Sequence, residues 1–244
     1  MAKNKKISII IAAAGFSSRL GKNIPKQFIL LNNKPLLLYS LEKFISMKNI
    51  TEIIIVTNDL ITTEKLLEIN NIFSNAKNIE IKIILGGELR QDSVFNGFCK
   101  VNPDADLVII HDVARPLFEI DDVEKCIEKA YICNAAILAI PVIDTVKKGK
   151  SDNDELVVDK TIKRDNLYQV QTPQVFSYKL LSEVYKCRDA PWRVSTDEAM
   201  MIELFTKETV NLVLGSRKNI KITYPEDLEI TSAILKGERE KCLK

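Results

Sequence analysis

The chain has 244 residues, enough for one large α/β domain, and its 46% hydrophobic and 28% charged residues are those of an ordinary soluble globular protein. Its 35 Lys+Arg against 33 Asp+Glu leave a net charge of +2, which gives no support for a nucleic-acid or membrane-surface partner and leaves any anion to local clusters. One histidine, His111, and five scattered cysteines without a C-x-x-C pair argue against zinc and suit a reducing, cytoplasmic setting.

Ile7 to Phe28 (ISIIIAAAGFSSRLGKNIPKQF) begins as a buried strand, breaks at Ala14-Gly15, and becomes a loop carrying Arg19, Lys22 and Lys26. The basic start MAKNKK, the apolar run and the A-x-A at Ala12–Ala14 also have the order of a secretory leader. The run is short and rich in β-branched isoleucine, and cleavage would remove the first strand of a regular pattern, so the strand is the reading taken. No apolar stretch reaches the roughly 18 residues needed to span a bilayer.

Pro35–Met47 has helical apolar spacing at Leu37, Leu41, Phe44 and Ile45. Strands are expected at Thr51–Thr57, Ile79–Leu85, Ala105–Ile110 and Ala135–Val142, and helices at Thr62–Asn70, Arg90–Val101 and Asp121–Ile132. This alternation predicts a Rossmann-like α/β fold, a mostly parallel sheet with helices on both faces and ligands at the carboxyl ends of its strands. Between Asp144 and Asn166 the rhythm changes: two short strand-like pieces flank Gly149–Asp154, as in a hairpin projecting from the body of a single domain. Such a two-stranded arm has little core of its own, so a second subunit is its expected support. Helices follow at Tyr178–Lys186 and Thr196–Phe205, the second capped by Ser195 or Thr196. Short strands are read at Thr209–Leu214 and Ile220–Thr223, and Pro225 opens a last helix.

The polar punctuation falls at three strand ends. Small residues at Ala13, Ala14 and Gly15 let the backbone approach an anion, and Arg19 and Lys26 add fixed charge, which suits a nucleoside triphosphate. The G-x-G-x-x-G fingerprint is absent (Gly15, Ser17, Leu20), as is a Walker A motif, which disfavours a dinucleotide cofactor and a P-loop ATPase. Gly86-Gly87 permits close contact with a planar base, and Glu88 suits a ribose hydroxyl. Asp112, just after a buried strand, is placed to hold a divalent cation through oxygen or to cap the following turn. His111 reads as a wall residue rather than a base. Lys163-Arg164, Thr172, Lys218 and Lys221 are further cations and hydroxyls for a second anion, which sequence spacing alone cannot bring together.

Taken together, AAAGFSSRLG, PKQF, GGELRQDSV, HDVARP, Asp144-Thr145, QTPQVF, TDEA and NIKITYPEDL resemble, in order, the 2-C-methyl-D-erythritol 4-phosphate cytidylyltransferases. The resemblance runs from about Ile7 to Ile234. The ribitol 5-phosphate cytidylyltransferases share several of these motifs and are the alternative, while AAAGF and TDEA lean toward the methylerythritol group. The resemblance implies that Ala13, Ala14, Gly15, Gly87, Glu88 and Ser93 contact CTP. It implies that Arg19, Lys26 and Lys221 serve the triphosphate during transfer, and that Asp112 sits beside Mg²⁺ and the sugar phosphate. Thr172 would line the acceptor site. Thr145 and Arg164 on the arm would reach the acceptor of the partner subunit, which implies a homodimer. Three positions depart from the pattern: Ser17 stands where a glycine is common, Glu88 where Asp is frequent, and Lys218 where an acidic residue is common.

Overall fold

A computed structural model describes residues 5–21, 24–152, 154–187 and 195–242, with the side chains of residue 18 and of 239–242 outside that description. Lys22 of the loop after the first strand and the basic start at residues 1–4 therefore lie outside the described residues.

The elements are β1 (Ile7–Ala13), a small hairpin of β2 (Leu30–Leu31) and β3 (Lys34–Pro35), α1 (Leu36–Ser46), β4 (Ile50–Thr57), α2 (Leu60–Ile69), α3 (Ile72–Asn75), β5 (Glu80–Leu85), α4 (Arg90–Phe98), β6 (Leu107–Asp112), α5 (Ile120–Cys133) and β7 (Ala135–Pro141). Then come β8 (Val146–Asp152), β9 (Glu155–Ile162), β10 (Tyr168–Ser177), α6 (Tyr178–Lys186), α7 (Glu198–Phe205), β11 (Asn211–Leu214) and α8 (Pro225–Cys242). Seven strands form one sheet in the order β11-β7-β10-β6-β1-β4-β5. β1 runs parallel to β4 and β6, β4 to β5, and β7 to β11, while β10 enters antiparallel between β6 and β7. The mostly parallel α/β sheet is therefore as expected. The antiparallel entry has a local cause: β7 and β10 are joined by the hairpin β8–β9 rather than by a crossover helix, and a return without a crossover reverses direction.

β1 lies inside the sheet, between β6 and β4, because it is apolar on both faces. Ile7, Ile9, Ile11 and Ala13 pack with Leu37, Leu41 and Phe44 of α1, while Ile10 packs on the other side with Val94 and Phe98 of α4. Each fully buried isoleucine contributes roughly 1.5–3 kcal/mol, which is why a short strand can anchor the sheet. Gly97 of α4 lies against β1 and β4. A Cβ there would come within 2.7 Å of Ile10 and 3.0 Å of Val56, so only glycine lets that helix sit so low.

Some boundaries differ from expectation. α4 stops at Phe98 rather than Val101, because the chain tightens into a turn with Lys100 N–H donating to Gly97 O at 2.9 Å. α2 begins at Leu60, capped by Asp59, which accepts from Thr62 N–H at 2.9 Å. α7 is capped by Asp197, not Ser195 or Thr196, with Met200 N–H donating to the carboxylate at 2.9 Å. Ile220–Thr223 is no strand. It is an extended segment tied to the body by Ile222 N–H donating to Ala114 O at 2.8 Å. That tie places Lys221 next to the carboxyl end of β6.

Candidate active site

The loop after β1 is closed on itself. Phe16 bridges to Pro25, Lys26 N–H donates to Gly15 O at 3.1 Å, and the Ser17 hydroxyl donates to Ile24 O. Ser17, where the resembling family commonly has glycine, thus stitches the loop. Gln27 pins it to the end of β4, donating from Nε2 to Thr57 Oγ1 and to Asn58 Oδ1, each at 2.9 Å. Lys26 is consequently held in a buried position, its ammonium donating to Ile222 O at 3.2 Å. Burial lowers its pKa, and the nearby charges of Arg19 and Lys221 lower it further. Arg19 and Lys221 thus crowd Lys26 with positive charge that Asp112 and Asp227 only partly offset, an arrangement that suits an anionic ligand.

The Gly86-Gly87 turn faces that loop. Gly86 N–H donates to Thr57 O at 2.8 Å, and a Cβ on Gly86 would collide with Ala14 Cβ and come within 2.8 Å of Ser93 Oγ. A Cβ on Gly87 would collide with Asp92. Ser93 Oγ accepts from Gly87 N–H at 3.0 Å and donates to Leu89 O at 3.1 Å, so its hydroxyl shapes the turn.

Asp112 ends β6 opposite Ala12 of β1. Its Oδ1 accepts from Arg90 Nε at 2.9 Å and its Oδ2 from Lys221 Nζ at 2.7 Å. Burial alone would push this carboxyl up, but the Arg90 and Lys221 charges outweigh it and hold Asp112 well below the usual carboxylate range. Arg90 also donates from Nη1 to both oxygens of Glu198, at 3.2 and 3.1 Å. Glu198 is fully buried, and burial raises its pKa against the opposing pull of Arg90.

These segments enclose a cleft of about 270 Å³ lined by Ala12, Ala14, Gly15, Phe16, Arg19, Lys26, Gly87, Glu88, Leu89, Arg90, Ser93, Asp112, Val113, Ala114 and Lys221. Ala13 does not line it. Strand alternation turns its side chain into the core against α1, leaving only its backbone near the cleft. A second cleft of about 200 Å³ adjoins the first through Arg90, Asp112 and Lys221, and adds Arg115, Thr172, Gln174, Thr196 and Asp197.

The model of the family described as 2-C-methyl-D-erythritol 4-phosphate cytidylyltransferase matches residues 7–237. The chain belongs to the 2-C-methyl-D-erythritol 4-phosphate cytidylyltransferase family. A relative of that name from Alkaliphilus oremlandii is 41% identical over 96% of this chain and 97% of its own. A chloroplastic one from Oryza sativa is 34% identical over 96% of this chain and 75% of its own. Among solved structures, the 4-diphosphocytidyl-2C-methyl-D-erythritol synthase of Anaerococcus prevotii superposes with a TM-score of 0.80 at 32% identity, covering 96% of this chain and 97% of that one. The 2-C-methyl-D-erythritol 4-phosphate cytidylyltransferase of Thermus thermophilus superposes with a TM-score of 0.73 at 26% identity, covering 95% and 99%.

For a member of this cytidylyltransferase family, the remaining expected residues fall in two places. Thr172 lines the second cleft. Thr145 and Arg164 stand exposed at the base of the β8–β9 arm, where Arg164 donates to Ile143 O, and neither lines either cleft of its own chain. Lys163 and Lys218 are surface residues, paired with Asp165 at 3.2 Å and with Glu238 at 2.8 Å. Arg90 and Glu198 were given no role from sequence, though both lie in motifs singled out there. One signal was available: an arginine opening a helix opposes the helix dipole, so Arg90 at the start of α4 breaks a local rule. Among the described residues no three His, Cys, Asp or Glu side chains gather as a metal site, and Asp112 is the buried carboxylate that the cleft presents at the end of β6. That is compatible with Mg²⁺, which is commonly held by one or two carboxylates and completed by substrate phosphates. Each Asp112 oxygen retains a second acceptor direction beyond its ion pair.

Proposed function

We propose that this protein transfers CMP from CTP to 2-C-methyl-D-erythritol 4-phosphate, giving 4-diphosphocytidyl-2-C-methyl-D-erythritol and pyrophosphate in non-mevalonate isoprenoid biosynthesis. The observation that carries the proposal is the cleft at the carboxyl ends of β1, β5 and β6. It sets Arg19, Lys26 and Lys221 beside a glycine turn in which Gly86 has no room for a side chain. The shared name of the relatives favours the methylerythritol acceptor over ribitol 5-phosphate.

In this reading the base lies on the Gly86-Gly87 turn, with Glu88 toward the ribose and Ala14, Gly15 and Ser93 completing the nucleotide wall. An anionic oxygen of the acceptor phosphate attacks the α-phosphorus in line. The new O–P bond forms as the bond to the β-phosphate oxygen breaks, and pyrophosphate leaves with that electron pair. The nucleophile is already charged, so no general base is required. Catalysis is alignment plus charge neutralisation. Lys26, fixed by its carbonyl contact, and Arg19 and Lys221 meet the triphosphate. Mg²⁺, held by Asp112 together with phosphate oxygens, would supply further neutralisation of charge. Arg90, locked between Asp112 and Glu198, keeps the Asp112 carboxylate in place.

Thr172 is assigned to the acceptor phosphate, with Thr145 and Arg164 contributed by a second copy of the chain in a homodimer. The exposed Leu156 and Val158 on the arm support such an assembly, since apolar side chains on a two-stranded ribbon gain most from being covered. No helix among the described residues is long and apolar enough to cross a membrane. The free Cys99, Cys126, Cys133 and Cys187 accord with a cytoplasmic setting. The test is pyrophosphate release from CTP and Mg²⁺ with each sugar phosphate supplied separately. Release with the methylerythritol phosphate and little with ribitol 5-phosphate is expected, and comparable rates would overturn the acceptor assignment.

A further inference from the structure

His111 has no part in the transfer as described, yet both its ring nitrogens are engaged. It is fully buried in β6 next to Asp112, edge-on to Phe44 and Phe118 with ring centroids 5.3 and 4.8 Å away. Its Nε2 lies 3.1 Å from Ser40 Oγ on α1, and its Nδ1 lies 3.2 Å from Thr172 Oγ1. Thr172 Oγ1 also accepts from Asp112 N–H at 3.0 Å. Burial pulls the histidine pKa down to about 3; Asp112 and a hydrogen bond to the Arg115 backbone oppose this, while the charges of Arg115 and Lys43 reinforce it. A neutral ring carries one proton, and the hydroxyl that faces each nitrogen shows where it sits.

The position of that proton decides what Thr172 offers the cleft. A threonine hydroxyl has one proton and two lone pairs, and Asp112 N–H takes one lone pair. If Nδ1 carries the ring proton, it takes the second lone pair and leaves the Thr172 proton for a ligand. If Nε2 carries it, Thr172 gives its proton to Nδ1 and turns a lone pair toward the cleft.

Two observations choose between these states. Ser40 is fully buried, and among the described residues its hydroxyl meets no hydrogen-bond partner other than His111 Nε2. A proton on Nε2 would leave the serine proton stranded without an acceptor. Independently, Thr172 shares its cleft with three cations, Arg90, Arg115 and Lys221, against two carboxylates, Asp112 and Asp197; the positive surplus suits an anion, and a lone pair aimed at an anion repels it. We propose that Ser40 donates to Nε2 and so fixes the ring proton on Nδ1, and that His111 thereby makes Thr172 a hydrogen-bond donor to the acceptor's phosphate. His111 and Ser40 are then positioning residues for the acceptor site. The identity of the anion rests on the function proposed above, whereas the proton arrangement does not.

His111 is the sole histidine of the chain, so untagged protein labelled with ¹⁵N at histidine gives two ring-nitrogen signals that need no site assignment. Long-range ¹H–¹⁵N correlation is expected to show a protonated Nδ1 and an unprotonated Nε2. The reverse pattern overturns the proposal, whether or not the protein turns over CTP. In steady-state kinetics Ser40→Ala is expected to raise KM for the sugar phosphate roughly tenfold while KM for CTP stays near wild type. An equal rise in both would mean the serine merely supports the fold and would overturn the positioning role.

Discussion

Replacing Arg90 with methionine removes one guanidinium from between two carboxylates. Asp112 keeps Lys221 at 2.7 Å, but Glu198 loses the cation that contacts both its oxygens, and it is fully buried. Breaking a buried pair by deleting one partner costs about 3–5 kcal/mol, because an uncompensated charge stays behind. At about 2–4 °C per kcal/mol for a chain of this size, the melting midpoint should fall by roughly 6–20 °C. The loss has a sign in pH. Burial already raises the Glu198 pKa and Arg90 opposes that rise, so without Arg90 the folded-state pKa climbs further above the unfolded value. A group of this kind contributes stability that is present below its unfolded pKa and lost as pH rises through the folded one. Arg90→Met should therefore lie closest to wild type near about pH 5 and fall behind toward about pH 8. The double variant Arg90→Met/Glu198→Gln, which removes both charges, should recover most of the loss. Urea denaturation of the three proteins at both pH values decides the matter. An equal deficit at the two pH values, or a double variant no more stable than the single one, would refute the reasoning.

Lys26→Met should lower kcat by about 10²- to 10³-fold while the melting midpoint holds or rises, since burial and two neighbouring cations disfavour the charged lysine; stopped assays and a thermal scan check both halves. Gly86→Ala should cost about 1–3 kcal/mol through overpacking and raise KM for CTP, because the new methyl collides with Ala14 and crowds Ser93; calorimetry with CTP would contradict this if affinity were unchanged. Mixing an inactive Lys26→Met protein with an inactive Arg164→Ala protein should restore part of the activity if each site borrows Arg164 from a second copy. No recovery after subunit exchange would remove the arm from the acceptor site.

The sheet was legible because its strands obey simple rules: β1, β4 and β6 are continuous apolar runs, and such runs are buried on both faces. The antiparallel entry of β10 was not, since strand direction depends on how the chain travels back from β9, and its sequence carries no mark of direction. Ile220–Thr223 has strand composition, yet it joins no ladder of the sheet, and its bonds to Ala114, Lys26 and Asp227 set its path. At the site, small residues and cations after β1 and β5 marked the cleft, because close backbone approach and fixed charge have few substitutes. The Ala13 side chain faces the core, a consequence of where the strand period ends. The ion-pair chain from Glu198 through Arg90 to Asp112 joins residues far apart in sequence, and no local pattern announces a buried glutamate opening a helix. Ser40 was hidden for the same reason, and His111, legible as a wall residue, shows its hydroxyl partners only when β6, α1 and β10 are brought together.

The central claim is transfer of a nucleotidyl group rather than a terminal phosphate, and the fate of label tests it most directly. With CTP carrying ³²P at the α-phosphate, the label should pass into the sugar-phosphate product, while label at the γ-phosphate should leave in pyrophosphate. Appearance of the γ label in the product, or retention of the α label in CMP with none in the product, would contradict the account.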